Sequence, residues 1–263
     1  PYMNGLHFFF GVGSFIGPLI AAAMLAAAGN ATRAYWVLAV LLVPLAAWVV
    51  RVPSPRAEDD QDDSEQSLDG DVRLRTQARG RVVVALVALF LLLYVGAEVA
   101  FGGWIYSYAA ALGLATETSA ATLTSVFWGG LTVGRLAGIP IAARLRPRTI
   151  LLFDLAGCLL SVGLILALPT SRVALWAGTI AAGAAMASIF PAAITLAGNR
   201  VRITGRITGW FLIGSSIGSM TIPWLIGQLF EPVGAHVTMW IVLATLAADL
   251  AVLVVLLVYS ERA

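Results

Sequence analysis

Residues 94–108 read Tyr-Val-Gly-Ala-Glu-Val-Ala-Phe-Gly-Gly-Trp-Ile-Tyr-Ser-Tyr, and the reading of this stretch decides the kind of chain this is. It is the second half of an apolar run that begins near Val82, so Glu98 falls deep inside a segment long enough to cross about 30 Å of hydrocarbon. Charging a group at that depth costs roughly 3 kcal/mol or more, so an intramembrane acid marks a functional site by default. Gly102 and Gly103 follow within one turn and are expected to loosen the helix; Trp104, Tyr106 and Tyr108 then supply amphipathic rings. An acid, a weakened helix and aromatic rings are what a polar-solute site in a membrane needs.

The composition agrees. Hydrophobic residues make up 60% of the chain and charged residues 11%, against about 25% charged in a soluble domain. Mean hydropathy is +0.91, so the expected class is an all-α polytopic membrane protein. All 16 basic residues are arginine, and alanine is abundant, a bias that suggests a GC-rich bacterial source and a bacterial inner membrane. The net charge of +2, with the arginines beside apolar spans, gives no reason to expect nucleic acid. Cys158 is alone in an apolar stretch, which excludes a disulfide framework and a cysteine-rich metal site. His7 and His236 lie near opposite faces, and no hydrolase, metalloprotease or phosphate-loop motif is present, so no enzyme, cofactor or metal is expected.

Eight runs are long enough to span: about 4–28, 34–51, 82–110, 119–143, 149–168, 173–197, 207–229 and 236–259. Thirteen arginines fall in the segments 51–81, 144–148, 200–206 and 262, all on one face; only Arg33 and Arg172 fall on the other. By the positive-inside rule, both chain ends and the 52–80 segment are cytoplasmic. Eight acids crowd Glu58–Asp71, and such a stretch reads as a disordered linker over 52–80. It divides the chain into residues 1–51, with two spans, and 81–263, with six. The opening Pro1-Tyr2-Met3-Asn4 carries no signal-peptide pattern, and the chain reads as a piece of a longer protein.

An internal repeat supports the division. Gly13-Ser14-Phe15-Ile16-Gly17 in the first span recurs as Gly214-Ser215-Ser216-Ile217-Gly218 in the seventh, with the following spans at nearly the same offset. Parallel repeats of this kind are typical of transporters. Small residues four apart let helices approach closely, so Gly13 and Gly17, with Pro18 bending the helix, read as packing positions. Gly130, Gly134 and Gly138 in the fourth span read the same way. Arg135 on that span needs a partner if buried, and Asp154 on the next span is the expected one. With Arg144 and Arg148 they form an expected gate-side charge cluster. Ser188-Ile189-Phe190-Pro191 in the sixth span is either a simple kink or a second wall of the solute cavity. Asp249 is a second intramembrane acid, expected to bond a neighbouring helix or to hold a proton.

Three motifs appear together in order: Tyr94-Val-Gly-Ala-Glu98 with Trp104 and Tyr108, Gly134-Arg135-x-x-Gly138 with Arg144 and Pro147, and Ser188-Ile-Phe-Pro191. The set resembles the major facilitator superfamily, and within it the fucose/galactose/glucose–proton symporter group and related glucose-transporter-like proteins. The resemblance implies a major facilitator fold of twelve spans, of which these eight are the fifth to twelfth, arranged as two six-helix bundles with alternating access. It implies that 82–110 and 173–197 line the cavity as the seventh and tenth helices, and that 119–143 packs on the first span here. Arg135–Arg148 would be the second-half copy of the cytoplasmic loop signature, departing from it at Ala143, where an acid is expected. At the position of Glu98 the fucose symporter has an amide.

The expected activity is secondary active import of a monosaccharide-like solute coupled to protons, by a protein monomeric at full length. Glu98 is the candidate both for accepting sugar hydroxyl bonds and for carrying the proton. Trp104 and Phe190 are expected to stack on the sugar ring, and Tyr108 to close the outer side. A drug–proton antiporter is the alternative, because Gly17-Pro18 resembles that group's fifth-helix signature; a non-transporting receptor or scaffold is a third reading.

Overall fold

A computed structural model describes residues 13, 15–17, 19–20, 23–24, 32–51 and 70–261. The described residues between 13 and 24 are helical. Then follow α1 (Thr32–Arg51), α2 (Gly70–Ala111), α3 (Glu117–Ala142), α4 (Pro147–Ala167), α5 (Arg172–Met186), α6 (Ile189–Gly198), α7 (Gly205–Val233) and α8 (Val237–Glu261). No strand occurs among the described residues. As far as the described residues reach, every expected span therefore falls on helix, with α5 and α6 forming the sixth span in two pieces. Five of these helical stretches are both long and apolar enough to cross a membrane, from Arg79–Ala111 to Val237–Tyr259.

Local chemistry sets the helix ends. The Thr116, Ser171 and Thr204 hydroxyls each accept a bond from the backbone N–H three residues on, capping α3, α5 and α7. Pro147 opens α4 at a position where its missing N–H costs nothing. After α2 the chain turns at Gly113, whose φ of +65° suits glycine, and Leu114 N–H reaches back to Ala109 C=O at 3.0 Å.

Two expectations about helix limits change. The helix holding Glu98 begins at Gly70, so residues 70–80 are helical although they were assigned to the linker; residues 52–69 lie outside the described residues. Leu74, Gln77, Ala78 and the neighbouring arginines are good helix formers, and propagation from a rigid span extends the helix over them. At 1.5 Å per residue, its 42 residues reach about 60 Å, twice the hydrocarbon thickness. Nor does α2 loosen at Gly102-Gly103. It continues without a break, because Gly102 is held by packing: a Cβ there would meet the Phe127 and Trp128 rings at 2.8 Å.

The core is built around α2, which packs against α3, α6, α7 and α8; α4 closes the far side against α5, α6 and α8. Phe90, Tyr94, Ala97, Phe101, Ile105 and Tyr108, at spacings of three and four, form a fully buried stripe along α2. The closest approach is between α2 and α7. A Cβ on Gly214 would meet the Ala88 carbonyl, one on Gly218 would run into the Leu92 carbonyl, and one on Gly96 would lie 2.6 Å from Ile222.

The glycine stripe of α3 has a different partner from the one expected. Gly130 faces the Ile180 carbonyl, Gly134 faces Ala184 and Ala187, and Gly138 faces Ser188, so the stripe seats α5 and the α5–α6 junction. A stripe at four-residue spacing covers a single helix face, so it can serve one close neighbour. The first span is met by the adjacent residue instead: a Cβ at Gly129 would lie 3.1 Å from the Phe15 ring. Around Gly13 and Gly17, read as packing positions, a Cβ would meet nothing within 4 Å among the described residues. Pro18, Asn4 and His7 lie outside the described residues.

Candidate functional site

At mid-length α2 presents Tyr94 and Glu98 one turn apart on the same face. The spacing matters, since residues four apart on a helix are neighbours. Both are buried, Tyr94 at 0% and Glu98 at 5% exposure. Opposite Glu98, α3 presents Arg135, with its Nη2 4.0 Å from Glu98 Oε1. This is an ion pair in the protein interior, its side chains 10% and 7% exposed. Arg135 thus engages Glu98 on α2, a partner beyond the expected grouping of Arg135 with Asp154, Arg144 and Arg148. Arg144 and Arg148 are exposed at the α3–α4 connection, and Asp154 Oδ2 is buried with no hydrogen-bond partner. The physical reason is azimuth: the helix face that carries Gly134 onto α5 turns the adjacent Arg135 toward α2.

The 4.0 Å separation is longer than a hydrogen bond. Charge holds the pair, while the carboxylate keeps lone pairs for a hydroxyl donor. A buried acid opposite a buried arginine also avoids the larger cost of either charge alone.

Tyr94 connects this pair to the break in the sixth span. Its hydroxyl donates to the Met186 carbonyl at 2.6 Å. Met186 is the last residue of α5; Pro191, four residues after Ala187, has no N–H to continue the ladder, and helical bonding resumes with Ala192 N–H to Ser188 C=O at 3.0 Å. Tyr94 therefore satisfies a carbonyl at the point where the helix bonding is interrupted. Beside the break, Arg135, Gly138, Ala187, Ser188, Pro191 and Thr195 line a cavity of about 200 Å³. Phe190 is half-buried against the core at this break, with its own contacts in the chain. The Ser188–Pro191 segment thus carries the break and borders this cavity, and Thr195 donates to Pro191 C=O at 2.8 Å within α6.

The two ring residues in the C-terminal part of α2 are fixed by the protein itself. Trp104 Nε1 donates to the Pro223 carbonyl on α7 at 3.1 Å, and its ring packs on Phe230 at 5.1 Å between centroids. Tyr108 is fully buried, with its hydroxyl 3.4 Å from His236 Nδ1 at the start of α8. Both tie this half of α2 to its neighbours, to α7 and to the start of α8.

Several hydroxyls in the spans are satisfied within their own helix. Thr132, Ser161, Thr179, Ser215, Thr221 and Thr245 each donate to the carbonyl four residues back. The hydroxyls of Ser125 and Thr238 are buried without a partner among the described residues, and so is the carboxyl of Asp249. Asp249 is 0% exposed on α8, and neither carboxyl oxygen has a hydrogen-bond partner. No group of His, Cys, Asp and Glu suited to a metal occurs among the described residues.

The geometry is that of a multi-pass helical membrane bundle whose central helix buries an acid–arginine pair next to a proline-broken neighbour. The chain belongs to the major facilitator superfamily: residues 2–223 match that family. It is similar to the sodium-dependent glucose transporter 1 of Xenopus laevis, at 30% identity over 87% of this chain and 51% of the relative. The human protein of the same name is 28% identical over 87% of this chain and 50% of its own length. The human major facilitator superfamily domain-containing protein 4A is 30% identical over 57% of this chain and 29% of its own. The chain thus spans about half the length of the glucose-transporter relatives. No solved structure matches it.

Proposed function

We propose that the chain forms part of a secondary active transporter that imports a monosaccharide or a similar polyhydroxylated solute by alternating access, coupled to a cation gradient. The observation that carries this reading is the buried Glu98–Arg135 pair between α2 and α3, beside the break at Ala187-Ser188. A carboxylate with spare lone pairs and a guanidinium with five donors are the complementary halves of a hydroxyl-binding site. The printed names of the relatives, glucose transporters, support the solute class. Residues 1–51 are then the end of one six-helix half and 81–263 the second half, with the arginine-rich end cytoplasmic in a bacterial inner membrane.

Protons are the coupling ion we favour, because Glu98 is an acid that can hold one where the solute binds. The relatives' designation as sodium-dependent makes sodium the competing ion. One experiment addresses both. In proteoliposomes of the full-length protein, Glu98→Gln lowers gradient-driven accumulation, while solute exchange without a gradient falls less. Coupling free energies of about 1–3 kcal/mol correspond to about 5–150-fold, which sets the expected loss. Because the single variant leaves Arg135 buried without its acid, Glu98→Gln/Arg135→Gln is measured beside it, and this pair is expected to restore folding without restoring accumulation. Accumulation that stays normal in a proton gradient removes Glu98 from coupling; a requirement for sodium alone replaces the proton.

A further inference from the structure

At the arginine-rich end of the bundle, α2, α7 and the α6–α7 connection enclose a cavity of about 1160 Å³. Five arginines line it: Arg79 and Arg81 on α2, Arg200 and Arg202 on the connection, and Arg206 in the first turn of α7. None of the described residues that line it is acidic. A plain excess of arginine at one membrane face follows from the positive-inside rule, but convergence does not. Arg144, Arg146 and Arg148 belong to the same end and do not line the cavity, whereas two segments more than a hundred residues apart do. They are brought together by a close approach in which a Cβ on Gly80 would lie 3.8 Å from Val201.

The walls have two kinds of surface. Guanidinium groups recognise phosphate oxygens through paired, charge-assisted bonds, and a rim that presents Arg81 and Arg206 among further arginines favours an anion. Toward the membrane the lining turns apolar, through Val84, Ala85, Ala88 and Ile207. Trp210, 52% exposed, and Tyr259 stand on α7 and α8 as rings of the kind that settle at headgroup level. A free anion would use the arginines and leave the apolar wall unused. An amphiphile with a phosphate head uses both.

We propose that this cavity binds the headgroup of an anionic phospholipid of the cytoplasmic leaflet, with an acyl chain along Val84, Ala88 and Ile207. Anionic lipids in that leaflet attract basic clusters beside membrane spans, and basic pockets between spans hold such headgroups. The assignment to the cytoplasmic leaflet rests on the orientation proposed above; the binding itself does not.

The test uses full-length protein in mixed micelles holding equal phosphatidylglycerol and phosphatidylcholine, with retained lipid counted by native mass spectrometry. Arg79, Arg200 and Arg202 also engage other groups in the chain, so Arg81 and Arg206 are the residues to change. The wild type is expected to retain phosphatidylglycerol selectively. Arg81→Gln/Arg206→Gln is expected to lower its apparent affinity by about 30-fold, the equivalent of about 2 kcal/mol. Arg81→Lys/Arg206→Lys, which keeps the charge and loses the fork, is expected to fall between them. Monodispersity on size exclusion confirms that each variant is folded. Equal retention of both lipids by the wild type overturns the proposal, and so does unchanged retention by the glutamine variant. Displacement of phosphatidylglycerol by inorganic phosphate alone reassigns the cavity to a free phosphate and also overturns it. Micelles expose both ends of the bundle, so failure here leaves the transport reading intact, and inverted topology in cells would overturn the orientation without touching the binding.

Discussion

The same five-residue motif occurs twice in this chain and meets two different surroundings among the described residues. Gly214-x-x-x-Gly218 on α7 lies against the backbone of α2, so tightly that side chains there would run into the Ala88 and Leu92 carbonyls. Gly13 and Gly17 in the first span keep open space around their Cβ positions among the described residues. The spacing is identical and the helical setting is shared. A small-residue stripe removes an obstacle to close approach but supplies no attraction of its own; dispersion across a matched partner face does that. In α7 the partner is present, because α2 returns its own small residue, Gly96, to the same contact.

This contrast can be broken at graded cost. The largest effect is expected for Gly218→Leu, which must push α2 and α7 apart and so opens the interface that organises the core; a loss above about 3 kcal/mol is expected, read as failure to purify as a monodisperse species. Gly134→Leu comes next. It meets Ala187 and Ala184, where α5 can yield near its end, so about 1–3 kcal/mol is expected in a denaturation series, together with loss of transport in the folded fraction. Wild-type transport rates in a folded Gly134→Leu protein would sink the case for that interface. Trp104→Phe keeps the ring packing on Phe230 and deletes the bond to Pro223, for about 1 kcal/mol by thermal melting. Gly17→Leu should be smallest, within about 0.5 kcal/mol of wild type. A Gly17→Leu loss as large as that of Gly218→Leu would show that the first span does have a tight partner, and the contrast would fall.

The two interior acids make a parallel lesson. Glu98 and Asp249 look alike in the sequence, each a lone carboxyl in an apolar run. In the fold Glu98 faces Arg135, whereas both oxygens of Asp249 lack hydrogen-bond partners. Substituting Asp249 by Asn is therefore expected to change stability by less than about 1 kcal/mol, since no specific acceptor role is lost. Glu98→Gln removes one member of a buried pair and should cost several times more.

Much of this was legible from residue order. The spans follow from apolar length, and the starts of α3, α5 and α7 agree with the helices because the caps Thr116, Ser171 and Thr204 act within one turn. Glu98 stood out because hydrocarbon makes any acid conspicuous, and Pro191 marked the break because it removes a donor wherever it stands. The contact of Tyr94 with Met186 was not legible, although its spacing from Glu98 already placed both on one face. Neither was the fixing of Trp104 and Tyr108 by Pro223 and His236, partners more than a hundred residues away.

What the sequence by itself determined is therefore one-dimensional: an all-helical membrane chain, the position of each span, and the depth of each unusual residue, all of which depend on local hydropathy and hydrogen bonding. Only the tertiary structure decided which faces meet. It turned Arg135 toward Glu98, put the α3 glycines on α5, and gathered Arg81 and Arg206 around one cavity. Those outcomes depend on the rotation of each helix about its axis and on which neighbour lies opposite. That rotation is set by packing across the whole bundle, and no single span carries it.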